Sequence, residues 1–136
     1  MTGFPLKIVT PDGIQFDGTA QQLNVRTTTG DVAILARHIN YVAPLGMGEA
    51  SVLVDGEKRY AACIGGMVSV MDGIVTLMPT TFEWSEKINV DRVLRSIQKA
   101  EKVLEKKDSS DLEISLAEAR LKRALIRKSV ASHNRK

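Results

Sequence analysis

No glycine and no proline occurs after Pro79, although ten glycines and four prolines precede Thr80 in this chain of 136 residues. Both residue types punctuate turns and are expelled from helix interiors, so their absence from the last 57 residues excludes turn-rich β structure there and predicts helix. Cysteine is nearly missing too. Cys63 stands alone, which excludes an internal disulfide and a Cys-x-x-Cys metal pair and fits a reducing cytoplasm. Long hydrophobic runs are lacking: Tyr60 to Met71 falls short of the roughly 18 apolar residues of a spanning helix, and Gly65-Gly66 interrupts it. The opening segment, Met1-Thr-Gly-Phe-Pro-Leu-Lys7, has no basic stretch leading into an apolar one, so a secretion signal is not expected. Only six residues are aromatic, and Trp84 is the last of them.

What is present has the balance of a soluble globular protein, 43% hydrophobic and 26% charged, which excludes disordered and fibrous classes. The length supports one core and an appended element, too little for large multi-domain catalysis. Charge divides where glycine and proline stop. Residues 1 to 84 carry five basic and eight acidic side chains, a net of −3, whereas residues 85 to 136 carry fourteen and eight, a net of +6. An acidic partner should therefore meet the C-terminal segment.

Four Asp-Gly pairs, at Asp12, Asp17, Asp55 and Asp72, each read as a turn, because glycine takes positive φ freely and aspartate tolerates it. Between them, six short runs read as strands: 6–10, 23–27, 50–54, 58–63, 67–71 and 74–78. Hairpins are expected across Asp55-Gly56 and Asp72-Gly73, and the spacing predicts an all-β sandwich over residues 1 to 84. Beyond Pro79 the apolar period changes to about 3.6. Val90, Val93, Leu94, Ile97, Val103 and Leu104 define an amphipathic helix, capped by Ser85 or Asn89 and ending near Lys107. A polar break at Asp108 to Asp111 follows, with capping-box spacing from Ser110 to Glu113. The second helix has Ile114, Ala117, Leu121, Ala124 and Leu125 as its apolar stripe, so residues 85 to 136 form an antiparallel two-helix hairpin with a modest seam.

The phosphate-loop, dinucleotide, zinc-protease and nucleophile-elbow signatures are all missing, and no enzyme reading has a motif behind it. His133 falls in a polar tail expected to fray. His38 has no partnered nucleophile in view, which favours a structural or contact role over general-base work. The stretch from Arg120 to Lys128 has two readings: a solvated helix face, or a docking row in which Arg120, Arg123 and Arg127 share one side. A free-standing module that binds nucleotide or nucleic acid through this hairpin is the alternative function; the lack of aromatics after Trp84 argues against nucleic acid.

Thr29-Gly-Asp-Val-Ala-Ile-Leu-Ala-Arg-His38, Pro44-Leu45, Gly48, Gly65-Gly66 and Glu86-Lys-Ile-Asn-Val-Asp-Arg92, in that order, resemble the epsilon subunits of bacterial F-type ATP synthases. The resemblance spans essentially the whole chain. It departs from the family at Ala33-Ile-Leu-Ala-Arg-His-Ile-Asn40, where a glycine and two prolines are replaced, and at Asn89 and Val93, where the ATP-sensing pattern has Asp and Ala. The resemblance implies a non-catalytic rotor subunit of the central stalk that couples proton translocation to ATP synthesis. Its sandwich would bind gamma and rest on the c-ring through a loop from Asp31 to His38. The mobile hairpin would inhibit ATP hydrolysis by reaching the alpha/beta head, with Arg120, Lys122, Arg123, Arg127 and Lys128 against the beta subunits. No cofactor is required, but regulatory ATP would bind weakly among Glu83, Ile88, Asn89, Arg92, Lys99, Lys122, Arg123 and Arg127. No metal or nucleic acid is implied. The implied location is peripheral, on the cytoplasmic face of the bacterial cell membrane, with membrane contact only through the complex.

Overall fold

A computed structural model describes residues 2–134. The chain divides into two compact units, Met1–Trp84 and Ser85–Lys136. The first is a β-sandwich of eight strands: β1 (Phe4–Thr10), β2 (Gly13–Ala20), β3 (Gln22–Thr27), β4 (Gly30–Leu35), β5 (Tyr41–Pro44), β6 (Met47–Val54), β7 (Glu57–Met71) and β8 (Ile74–Trp84). Hydrogen bonding runs in the order β2-β1-β8-β7-β6-β3-β4, and β5 adds to β7. All pairs are antiparallel except β1 with β8.

The long β7 makes this a two-layered object. Its first part, residues 57–64, pairs with β6, and residues 67–70 pair with β5, while β8 follows the other edge from Ala61 to Met71. The change of partner falls at Gly65-Gly66, where both residues have positive φ. Alternate side chains then converge in one core that includes Leu6, Ile8, Leu23, Ile34, Val68 and Leu77, each worth roughly 1.5–3 kcal/mol on burial. Trp84 closes the end of β8: its Nε1 donates to the Gln15 carbonyl at 3.3 Å, and the Arg59 guanidinium lies 3.8 Å from the ring centre.

Several expectations need correction. Asp17-Gly18 is no turn but lies inside β2, with Asp17 opposite Lys7 and Gly18 opposite Leu6. The hairpin has already turned at Pro11-Asp12, and the pairing energy of a full return strand outweighs a local turn preference. The runs 58–63 and 67–71 are one strand, because positive φ at the two glycines bends β7 without ending it. Three strands, β2, β4 and β5, had no predicted run of their own. Pro79 sits within β8 and the strand continues to Trp84, so the helical period begins only at Val90.

The second unit opens with a 3-10 turn, Ser85–Lys87, followed by α1 (Val90–Glu105) and α2 (Asp111–Ala131). Asn89 is the N-cap of α1, its side-chain oxygen accepting the Arg92 N–H at 3.1 Å. α2 starts with the expected capping box, Ser110 and Glu113 each accepting the other's backbone N–H at 3.1 Å. Those bonds from Ser110 hold the Glu113 carboxyl below its usual pKa. The seam buries Val93, Ala100, Ala117 and Ala124, so the helix backbones approach over small side chains. Leu94 and Leu125, expected in the stripe, are instead 40% and 47% exposed and line a groove of about 340 Å³ with Val90, Lys128 and Ser129.

Candidate interaction surfaces

β5, the later half of β7 and the start of β8 are apolar on both sides. Inward, Ala43, Val68, Val70, Val75 and Leu77 are buried. Outward, Val42 is 58%, Met67 39%, Met71 50%, Ile74 56% and Met78 43% exposed. The register sets these outward residues in two apolar rows, Pro44–Met67–Met78 and Met71–Ile74, on either side of a row in which Ser69 lies between Val42 and Thr76. Lone exposed hydrophobics are ordinary, but several grouped on one sheet face mark a candidate interaction site, and methionine adapts to an irregular partner. Sequence reasoning missed this face. The signal was Met67-Val-Ser-Val-Met71, which keeps apolar residues at both phases of a period-two strand and so reads as covered on both sides.

Asp31 and His38 do not share a loop. Residues 30–35 are β4, and the four residue steps from Asp31 to Leu35 alone span roughly 13 Å in strand geometry, so the two side chains are held apart. Asp31 is paired with Arg26 Nη1 at 3.2 Å on the surface. His38 follows the strand after Arg37, whose φ is +65°. Its Nδ1 lies 2.9 Å from the Ile39 carbonyl, fixing that nitrogen as the donor, and its ring meets Tyr41 edge-on at 5.8 Å. Ile39, 77% exposed, is the most prominent apolar side chain of that turn.

The hairpin sorts the predicted cations. At ~100° per residue, Arg92 and Lys99 sit on one flank of the α1 seam defined by Val93 and Ala100, and Arg120, Arg123 and Arg127 on one flank of the α2 seam defined by Ala117 and Ala124. Because the helices run antiparallel, these two flanks face the same side of the hairpin, opposite the Leu94–Leu125 groove. Lys122 projects from the outer face, about 160° from Ala124, and Lys128 lines the groove, so neither joins the cationic flank. Arg123 and Arg127 are half-buried, whereas Arg92, Lys99 and Arg120 are exposed. Asn89 is engaged as the α1 cap and Ile88 is buried. Glu83 belongs to the other unit, opposite Ala62 in β8.

Burial pushes the Cys63 thiol up to about 12, which makes it inert. Among the described residues no cluster of His, Cys, Asp and Glu can hold a metal, and no helix is long and apolar enough to cross a membrane.

Both candidate sites are surfaces, an apolar sheet face and a cationic helix flank, on a sandwich followed by a helical hairpin. This is the equipment of a protein that assembles with others. The chain belongs to the ATP synthase delta/epsilon chain family: the family's beta-sandwich domain matches residues 3–85 and its long alpha-helix domain residues 86–132. An ATP synthase epsilon chain of Ruminococcus albus is 44% identical over 97% of this chain and 98% of its own length. One from Bacillus licheniformis is 38% identical over 96% and 99%. A chain in the Euglena gracilis mitochondrial ATP synthase, in its OSCP/F1/c-ring structure, shares the fold with a TM-score of 0.82 at 19% identity, covering 95% of this chain and 81% of that one.

Proposed function

We propose that this chain is the central-stalk rotor subunit of a bacterial ATP synthase, coupling proton translocation to ATP synthesis at the cytoplasmic face of the membrane. The methionine-lined sheet face carries this reading. Gamma docks there, burying Met67, Met71, Met78, Val42 and Ile74, while the Arg37–Ile39 turn meets the polar loops of the c-ring. The reading takes the sandwich as the assembly unit and the hairpin as a regulator that, when extended, contacts the beta subunits through its basic residues and blocks hydrolysis. A small seam built on alanine suits such a switch, since two states need to differ by only a few kcal/mol. Truncation after residue 87 is expected to leave capture by immobilised gamma intact while raising ATP hydrolysis by the reassembled complex severalfold. Unchanged hydrolysis removes the inhibitory role; lost capture removes the sandwich as the docking unit.

ATP is the proposed regulatory ligand of the folded hairpin, with its phosphates on the flank formed by Arg92, Lys99, Arg120, Arg123 and Arg127. Asn89 brings no carboxylate, and its side-chain oxygen is occupied by the helix cap, so affinity in the millimolar range is expected. Titration of the full chain with ATP, with and without Mg, should raise its thermal stability with the logarithm of ligand excess over Kd, and Arg123→Ala should raise that Kd about tenfold. A flat response at millimolar ATP removes the nucleotide from the mechanism.

A further inference from the structure

The 3-10 turn that follows α2, Ser132–Asn134, is tied to the first residue of its own unit. Asn134 Nδ2 donates to the Ser85 carbonyl at 2.7 Å, and Ser85 Oγ donates back to Asn134 Oδ1 at 3.1 Å. Ser85 is 5% exposed and its carbonyl also accepts the Ile88 N–H at 3.3 Å, so the acceptor is held rigidly by the 3-10 turn. The pair closes a stretch of 49 residues, the largest sequence separation among the side-chain bonds of the hairpin described here.

We propose that the Asn134–Ser85 pair is a latch that sets the population of the closed hairpin. Three observations carry it. The opposite end of the hairpin is secured independently, by the Ser110–Glu113 capping box and by Ser109 Oγ donating to the Val103 carbonyl at 2.8 Å. At the latch end the pair lies beside a buried apolar group, Ile88, Val93, Val130 and Ala131, while a groove of about 340 Å³ opens next to it along Val90, Leu94, Leu125 and Ser129. Polar closure therefore helps keep water out of the end of the seam that the groove reaches. Finally, release strands nothing: the Glu86 carboxylate lies 3.4 Å from Ser85 Oγ as an alternative acceptor, and the exposed Asn134 amide returns to water. The two bonds are thus a small, reversible increment rather than an obligatory contact.

The latch extends the proposed mobile hairpin, and its test is separate from that of inhibition. Amide hydrogen exchange of the full chain is followed for wild type, Asn134→Ala, Ser85→Ala and the double variant. With Asn134→Ala, exchange should accelerate about tenfold through residues 121–131 of α2 and across the seam at 93–97 of α1, with sandwich amides unchanged. Ser85→Ala keeps the carbonyl and should have a smaller effect, and the double variant should exchange no faster than Asn134→Ala alone. Acceleration confined to the last turn of α2, no change in either single variant, or equal acceleration in the sandwich overturns the latch. Hydrolysis by the complex plays no part in this readout, so a failed latch leaves the inhibitory reading standing, and the reverse holds too.

Discussion

Gly66→Ala is expected to destabilise the chain by roughly 3 kcal/mol, enough to lower the unfolding temperature by well over 10 °C. Gly66 has φ +97°, in the region that side chains avoid. A Cβ there would also overlap the Met78 carbonyl oxygen and lie 2.7 Å from Pro79 Cα, both of them backbone atoms that cannot swing aside. Relief would require β7 and β8 to separate where β7 exchanges β6 for β5 as its partner. Gly56→Ala supplies the comparison, since Gly56 also has positive φ, +82°, but nothing lies within 4 Å of its added carbon. That variant should lose only about 1 kcal/mol. Equal losses at the two sites, measured by thermal unfolding of the full chain, would remove the close-approach argument and leave only dihedral strain.

The hairpin turns at Asp55-Gly56 and Asp72-Gly73 were legible because the signal and the geometry are both local: the aspartates have φ of +49° and +51°, and the glycines +82° and +81°. Asp17-Gly18 carries the same letters, but its conformation is decided by pairing with β1 ten or more residues away, which no local pattern encodes. The same non-locality hid β5, only four residues long and ending at Pro44. On the hairpin, the caps and the Arg120, Arg123 and Arg127 row could be read from spacing. That Arg92 and Lys99 join this row, and that Lys122 does not, follows only once the helices run antiparallel with Val93 and Ala124 both inside. A period of 3.6 residues places Leu94 and Leu125 in the stripe because periodicity tolerates a wide face. Alanine at positions 100, 117 and 124 narrows the true seam and leaves both leucines on its edge.

The apolar sheet face leads to the second large effect. Met67→Glu should reduce capture by immobilised gamma by at least 100-fold while leaving the thermal stability of the isolated chain within about 0.5 kcal/mol. Met67 is outside the core and 39% exposed, so a carboxylate in the free chain remains hydrated. On docking it would be buried among Pro44, Met78 and the partner's apolar surface with no cation beside it, the nearest basic register position on this face being Lys7, two strands away opposite Thr76. An unpaired charge forced into such a contact costs roughly 3–5 kcal/mol, which is the origin of the hundredfold bound. Leu35→Glu, on the edge strand β4 and 48% exposed, introduces the same charge elsewhere and should leave capture unchanged. If both variants weaken capture equally, the effect is one of net charge and the methionine face is not the dock. If neither does, gamma binds another surface, and the two-sided apolar pattern of β7 needs a different partner to cover it.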